Sequence, residues 1–171
     1  LPGSHLLVHE SGRTRVERWW EPPFRPGGEP EPRRSDDAWI AALRDKLAEA
    51  VRIHMRGDVE PGVMLSGGLD SSAVAALMCG FAGTRVRSYS IGFDAGAIDE
   101  PGRRRMLYDF PQLALDARIT RATAASLDAL PWSVWSVEDP GGAGSACWRL
   151  PLAEMASREV KVVLTGEGSD E

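Results

Sequence analysis

A short apolar run that opens into paired glycines and hydroxyls constrains this chain more than any other feature. Val63-Met64-Leu65 has the pattern of a strand buried on both faces of a parallel sheet. It leads into Ser66-Gly67-Gly68-Leu69-Asp70-Ser71-Ser72 and then Ala73 to Met78, which reads as a helix. A strand, a tight glycine turn and a helix N-terminus together build an anion site. Glycine lets several backbone N–H groups face one point, and the helix dipole adds positive potential there. Ser66, Ser71 and Ser72 add hydroxyl donors, so the implied guest is a phosphate or pyrophosphate.

Two common glycine motifs are excluded by composition. A Walker loop needs Lys-Ser/Thr after its second glycine, and no lysine follows Gly68. A dinucleotide fingerprint needs a third glycine where this chain has Ser71. Ser-Gly-Gly-Leu-Asp-Ser-Ser instead resembles the pyrophosphate loop of the ATP pyrophosphatases, which cleave ATP between its α and β phosphates. The bland alternative is a Gly-Ser turn in which Ser71 caps a helix. Asp70 argues against it, because a carboxylate suits an anion site only where a metal joins the two.

The chain has 171 residues, enough for one compact domain with a core. Its net charge of −5 and pI near 5.3 argue against nucleic acid, whose phosphates reward a basic face. Arg103-Arg104-Arg105 reads as a solvated helix face. Cys79 and Cys147 have neither metal-pair nor redox spacing and read as buried free thiols, which suits a reducing cytoplasm. No apolar run approaches the roughly 20 residues of a membrane span. No signal-peptide pattern opens the chain. With a start at Leu1 and a stop at Glu171, inside a motif, the chain is expected to be a fragment.

Residues 1–20 read as a hairpin, with His5 to Glu10 and Thr14 to Trp20 flanking Ser11-Gly12-Arg13. His5 and His9 read as surface residues. Residues 21–35 carry five prolines and two glycines, the composition of an extended linker. Asp36 to Met55 is a helix whose apolar stripe is Ile40, Leu43, Leu47 and Val51, ending in a packed His54. Val86 to Ile91 is a second strand, parallel to the first across a helical crossover. Arg103 to Phe110 is a candidate helix, Leu115 to Ile119 a short strand, and Ala122 to Leu130 a helix. Trp132, Trp135 and Trp148 are expected to pack around the helical layer. After a loop at Glu138 to Gly142, Cys147 to Glu159 is a helix and Val160 to Leu164 a third buried strand.

The expected fold is therefore α/β, a doubly wound parallel sheet with flanking helices, preceded by the hairpin. Ligands of such sheets bind beyond the carboxyl ends of the strands, near the switch in strand order. That would bring Asp70 and Asp170 to one ligand, where two carboxylates converging on a polyphosphate would hold magnesium. Asp170 as the cap of a following helix is the plainer alternative.

Four stretches occur in the order and spacing of one family's motifs. They are Leu65 to Ser72, Ser88-Tyr89-Ser90-Ile91-Gly92-Phe93, Glu138-Asp139-Pro140, and Val162 to Glu171. Together they resemble the synthetase domain of glutamine-dependent asparagine synthetase. Leu1 to His5 and Arg18-Trp19-Trp20 look like the last hairpin of that family's glutaminase domain. The resemblance implies three parts: residues 1–20 as that hairpin, 21–35 as a linker, and 36–171 as a truncated ATP-pyrophosphatase domain of the adenine nucleotide α-hydrolase-like kind. It implies that ATP adenylates the side-chain carboxylate of aspartate, releasing pyrophosphate, and that ammonia from glutamine displaces AMP. Ser66, Gly67, Gly68, Asp70, Ser71 and Ser72 would hold pyrophosphate, and the backbones of Leu65, Ile91 and Gly166 would border the adenosine. Asp70 and Asp170 would meet magnesium. Glu167 would face the acyl-adenylate and the amine, where a carboxylate can hold ammonium or take a proton. A homodimer through the glutaminase domain is the implied assembly.

The chain departs from the family in three places. Nothing here supplies the cysteine nucleophile of the glutaminase. Pro111 to Asp116 replaces a Gly-Thr and acidic-histidine stretch, and a lysine and tyrosine of the second motif would lie beyond Glu171. This polypeptide alone is therefore expected to bind nucleotide weakly and to make no amide. Two rivals stand beside the first reading. One is a related ligase acting on another carboxylate, of the β-lactam synthetase or lasso-peptide cyclase type. The other is a non-catalytic nucleotide-binding remnant, against which Asp70, Glu167 and Asp170 argue.

Overall fold

The computed structural model describes residues 5–21, 34–93, 112–138 and 143–168. The chain divides into two units, Leu1–Asp36 and Asp37–Glu171, each described by itself. In the first, β1 (His5–Glu10) and β2 (Arg13–Arg18) pair antiparallel, His5 opposite Arg18 and Glu10 opposite Arg13. The turn is Ser11-Gly12 alone, one residue tighter than expected. Both residues have positive φ, 51° and 75°, the twist that two-residue hairpins require. His9 lies on the exposed surface with Nδ1 2.9 Å from the Thr14 hydroxyl.

The second unit begins with α1 (Asp36–His54) and continues through β3 (Gly62–Met64), α2 (Leu69–Phe81), β4 (Val86–Phe93) and β5 (Leu115–Ala122). A 3-10 helix (Ala124–Ala129) then leads into α3 (Leu130–Val137), α4 (Ala143–Ser157) and β6 (Val163–Leu164). The four strands form one parallel sheet in the order β5-β4-β3-β6. The chain thus builds outward from β3 through β4 to β5, then returns to the other side of β3. The order reverses between β3 and β6.

Alternation along β3 sends neighbouring side chains to opposite faces. Val63 and Leu65 join Val51 of α1, Val74, Ala75 and Met78 of α2, and Val86 and Leu115 in one buried cluster. Met64 packs instead with Tyr89, Ile91, Val163 and Val160, and with Leu152, Met155 and Ala156 of α4. Helices cover both faces, so the sheet is doubly wound as expected. Glu159, just past α4, ties that face together. Its carboxylate accepts from Arg118 Nε at 3.0 Å and from the Tyr89 hydroxyl at 3.3 Å.

Several expectations are corrected. Of the α1 stripe only Val51 is buried, whereas Ile40 and Leu43 are 64% and 70% exposed. His54 is exposed rather than packed, with Nδ1 2.8 Å from the Ala50 carbonyl of the preceding turn. β5 runs on to Ala122, and the helix expected from Ala122 to Leu130 is a 3-10 helix over Ala124–Ala129. Pro131 suits only the first turn of a helix, and it takes that place in α3, after the 3-10 turn. Trp132 and Trp135 are 59% and 74% exposed; Trp148 is half-buried. Cys147 is buried, but Cys79 is half-buried, with burial raising its thiol pKa. β6 is shorter than Val160 to Leu164, and α4 starts earlier than Cys147. The candidate helix at 103–110, the three arginines within it, and residues 139–142 lie outside the described residues. No helix among the described residues is long and apolar enough to cross a membrane.

Candidate functional site

The carboxyl ends of β3, β4 and β6 open into one cleft of about 310 Å³ at the reversal of strand order. Met64 and Leu65 of the β3 end, Ser66 and Gly68 of the following turn, and Asp70 and Ser71 of the first turn of α2 line one side. Ile91 of β4 and Leu152 of α4 give an apolar wall. Thr165, Gly166 and Glu167 close it from the β6 end, with Arg149 of α4 beside them. A smaller hollow of about 240 Å³ lies at the opposite strand ends, and a larger one of about 490 Å³ runs between α1 and β6.

The glycine turn is organised from within. Gly67 has φ of 88°, a conformation that a side chain would strain. The Ser71 hydroxyl accepts from the Ser66 amide at 3.2 Å and lies 2.9 Å from the Ser66 hydroxyl. The Ser66 hydroxyl in turn accepts from the Gly68 amide at 3.2 Å. Ser71 is buried, so its hydroxyl shapes the turn rather than standing open to the cleft. Because α2 already starts at Leu69, Asp70, Ser71 and Ser72 belong to its first turn, and the Ser72 amide donates to the Gly68 carbonyl at 3.2 Å.

The stretch after β6 meets this turn directly. A Cβ on Gly166 would stand 2.5 Å from the Ser71 amide nitrogen and 2.8 Å from the Asp70 carbonyl carbon. Only glycine permits that approach. Glu167 follows, its amide donating to the Thr165 hydroxyl at 3.4 Å. Its carboxylate forms an ion pair with the Arg149 guanidinium.

Of the residues singled out from sequence, Leu65, Ser66, Gly68, Asp70, Ser71, Ile91, Gly166 and Glu167 therefore line one cleft. Gly67 sits in the turn, and Ser72 stands behind it, half-buried. Asp170 lies outside the described residues. Sequence reasoning missed Arg149, Leu152, Met64 and Thr165. Arg149 and Leu152 stand three apart on α4, a helical face whose position over the sheet no local pattern announces. Thr165 carried a signal, as a hydroxyl directly after a strand and before Gly-Glu-Gly.

Two carboxylates, Asp70 and Glu167, and one guanidinium, Arg149, leave the described cleft lining with a net formal charge of −1. A triphosphate would meet net repulsion there unless a cation entered with it. Asp70 is exposed beside the turn and suits that cation. Among the described residues no group of three or more His, Cys, Asp or Glu side chains gathers around a point. Magnesium takes one or two carboxylates with phosphate oxygens and water, and Asp70 is a carboxylate at the turn of the kind it takes.

The asparagine synthase family model matches residues 42–171, from within α1 through both glycine turns. The chain belongs to the asparagine synthase family. Relatives include an amidase of Gibberella zeae, 32% identical over 99% of this chain and 27% of that protein. Asparagine synthetase 1 of Bacillus subtilis is 26% identical over 99% and 26%. A putative asparagine synthetase of Mycobacterium tuberculosis is 32% identical over 91% and 23%. The chain thus spans about a quarter of the length of these family members. Among solved structures, an NMN synthetase of Francisella tularensis aligns with a TM-score of 0.46 and 21% identity, over 77% of this chain and 54% of that one.

Proposed function

We propose that this chain supplies the ATP-binding cleft of an amide-forming ligase that activates a carboxylate by adenylation. The observation that carries this reading is the packing of Gly166 on Ser71, which makes one cleft from two glycine turns. The turn at Ser66 to Ser72, with the head of α2, takes the phosphates through backbone N–H groups. The backbones of Leu65, Ile91 and Gly166 border the adenosine. Asp70, and Asp170 by the sequence resemblance, would hold magnesium, which would supply charge neutralisation at the pyrophosphate.

The chemistry balances in two displacements. An oxygen of the substrate carboxylate attacks the α-phosphorus of ATP, the bond from that phosphorus to the bridging oxygen breaks, and pyrophosphate leaves. The nitrogen of ammonia then attacks the acyl carbon and expels AMP, and the proton lost from nitrogen goes to Glu167. Aspartate is the favoured acid, and glutamine hydrolysis in a glutaminase domain the favoured ammonia source. Residues 1–20 would be the end of that domain, 21–35 its linker, and a cytoplasmic homodimer the assembly. A second reading keeps the cleft and changes the acid; two relatives at 32% and 30% identity carry a name other than asparagine synthetase, that of amidase.

The test is carboxylate-dependent exchange of labelled pyrophosphate into ATP by the full-length protein. Exchange with magnesium and aspartate is expected, and its loss in Asp70→Asn. Exchange with another acid alone moves the reading to the second form. No exchange with any acid removes the ligase.

A further inference from the structure

We propose that Arg149 holds an oxyanion of the bound ligand, in competition with Glu167; this rests on the cleft reading above. Arg149 is the one basic side chain among the described residues lining the cleft. It stands one helical turn before Leu152, which is buried against the sheet. Core packing therefore fixes the backbone of α4, while the arginine side chain is 56% exposed beside the cleft. The Glu167 carboxylate occupies one edge of the guanidinium. Five N–H donors in a planar fork are matched to phosphate and carboxylate oxygens, so a single partner does not saturate it.

The glycine turn leaves a role for this cation. The Ser66 and Ser71 hydroxyls bond each other and turn amides, and so are engaged within the turn itself. With those hydroxyls committed and the lining net negative, Arg149 is the remaining charged side-chain donor for an anion, beside the backbone N–H groups of the turn. The anion is a phosphate oxygen of the nucleotide or a carboxylate of the acid. Either one meets a guanidinium that Glu167 also claims.

Competition has a signature that a purely structural ion pair lacks. Removing the arginine weakens ligand binding, whereas neutralising its rival strengthens it. Titration calorimetry on the full-length protein compares magnesium ATP, inorganic pyrophosphate and aspartate as ligands, using R149Q, R149K and E167Q. The expected result is binding about tenfold or more weaker in R149Q for one of them. R149K should recover part of this as a point charge, and E167Q should bind the same ligand more tightly than the unmodified protein. Weakening confined to ATP and pyrophosphate assigns a phosphate; weakening confined to aspartate assigns the acid. Unchanged binding in R149Q, or weakening of the same ligand by both R149Q and E167Q, overturns the proposal and leaves the ATP cleft standing. If the unmodified protein binds neither ATP nor pyrophosphate, the ligase reading falls and takes this proposal with it.

Discussion

Gly166 and Ser71, 95 positions apart in the sequence, touch so closely that a methyl group on the glycine would stand 2.5 Å from the serine amide nitrogen. That contact joins the turn after β3 to the turn after β6. It makes a cleft out of two motifs that the chain keeps far apart. Gly166→Ala should force one turn away from the other, at a cost of about 1–3 kcal/mol by overpacking. Thermal unfolding should show the loss, and magnesium ATP binding should fall with it. Unaltered stability and binding would mean that the turns move independently.

Ser71→Ala tests the turn from inside. Without the hydroxyl, the Ser66 amide loses its acceptor and the Ser66 hydroxyl its neighbour. A loss of about 1 kcal/mol is expected, near 2–4 °C in melting temperature for a domain of this size. Calorimetric melting checks it. A variant as stable as the parent would show that the bonds do not hold the turn.

The strands, the helix after the first glycine turn and the meeting of the two turns were legible because each has a local mark. Val63 to Leu65 is an apolar run of strand length, Gly67 and Gly68 announce a turn, and parallel topology sends both turns to one sheet end. What was not legible depended on partners. The period of Ile40, Leu43, Leu47 and Val51 defines a face, yet only Val51 finds a core to enter. Trp132 and Trp135 show the same limit, since aromatic character says nothing about what lies opposite. Arg149 looks like any charged helix residue until α4 is placed over the sheet.

The α1 stripe yields a contrast in stability. Leu43→Ala should change the stability of this chain by no more than about 0.5 kcal/mol, since Leu43 is mostly exposed. Met78→Ala, fully buried under the sheet, should cost about 2–5 kcal/mol. Denaturant titration of the two variants decides it. Equal costs would mean that Leu43 is packed in solution.

Tyr89 supplies a pH dependence. Burial holds its phenol pKa above the ordinary range, and the neighbouring Glu159 charge pushes it the same way. A group whose pKa is raised by folding contributes stability that is complete below its unfolded value, about 10, and is lost as pH rises through the folded value. The tyrosinate absorbance of Tyr89, taken as the difference from Tyr89→Phe, should therefore appear late and coincide with loss of structure. Ionisation at or below the ordinary value, with the fold intact, would contradict this.

The most direct measurement of the central claim is hydrogen exchange on the full-length protein with and without magnesium ATP. Both turns belong to one nucleotide site on this account, so amides of residues 66–72 and 165–168 should slow together, at the same nucleotide concentration. Slowing in one turn alone, or in neither, would contradict it.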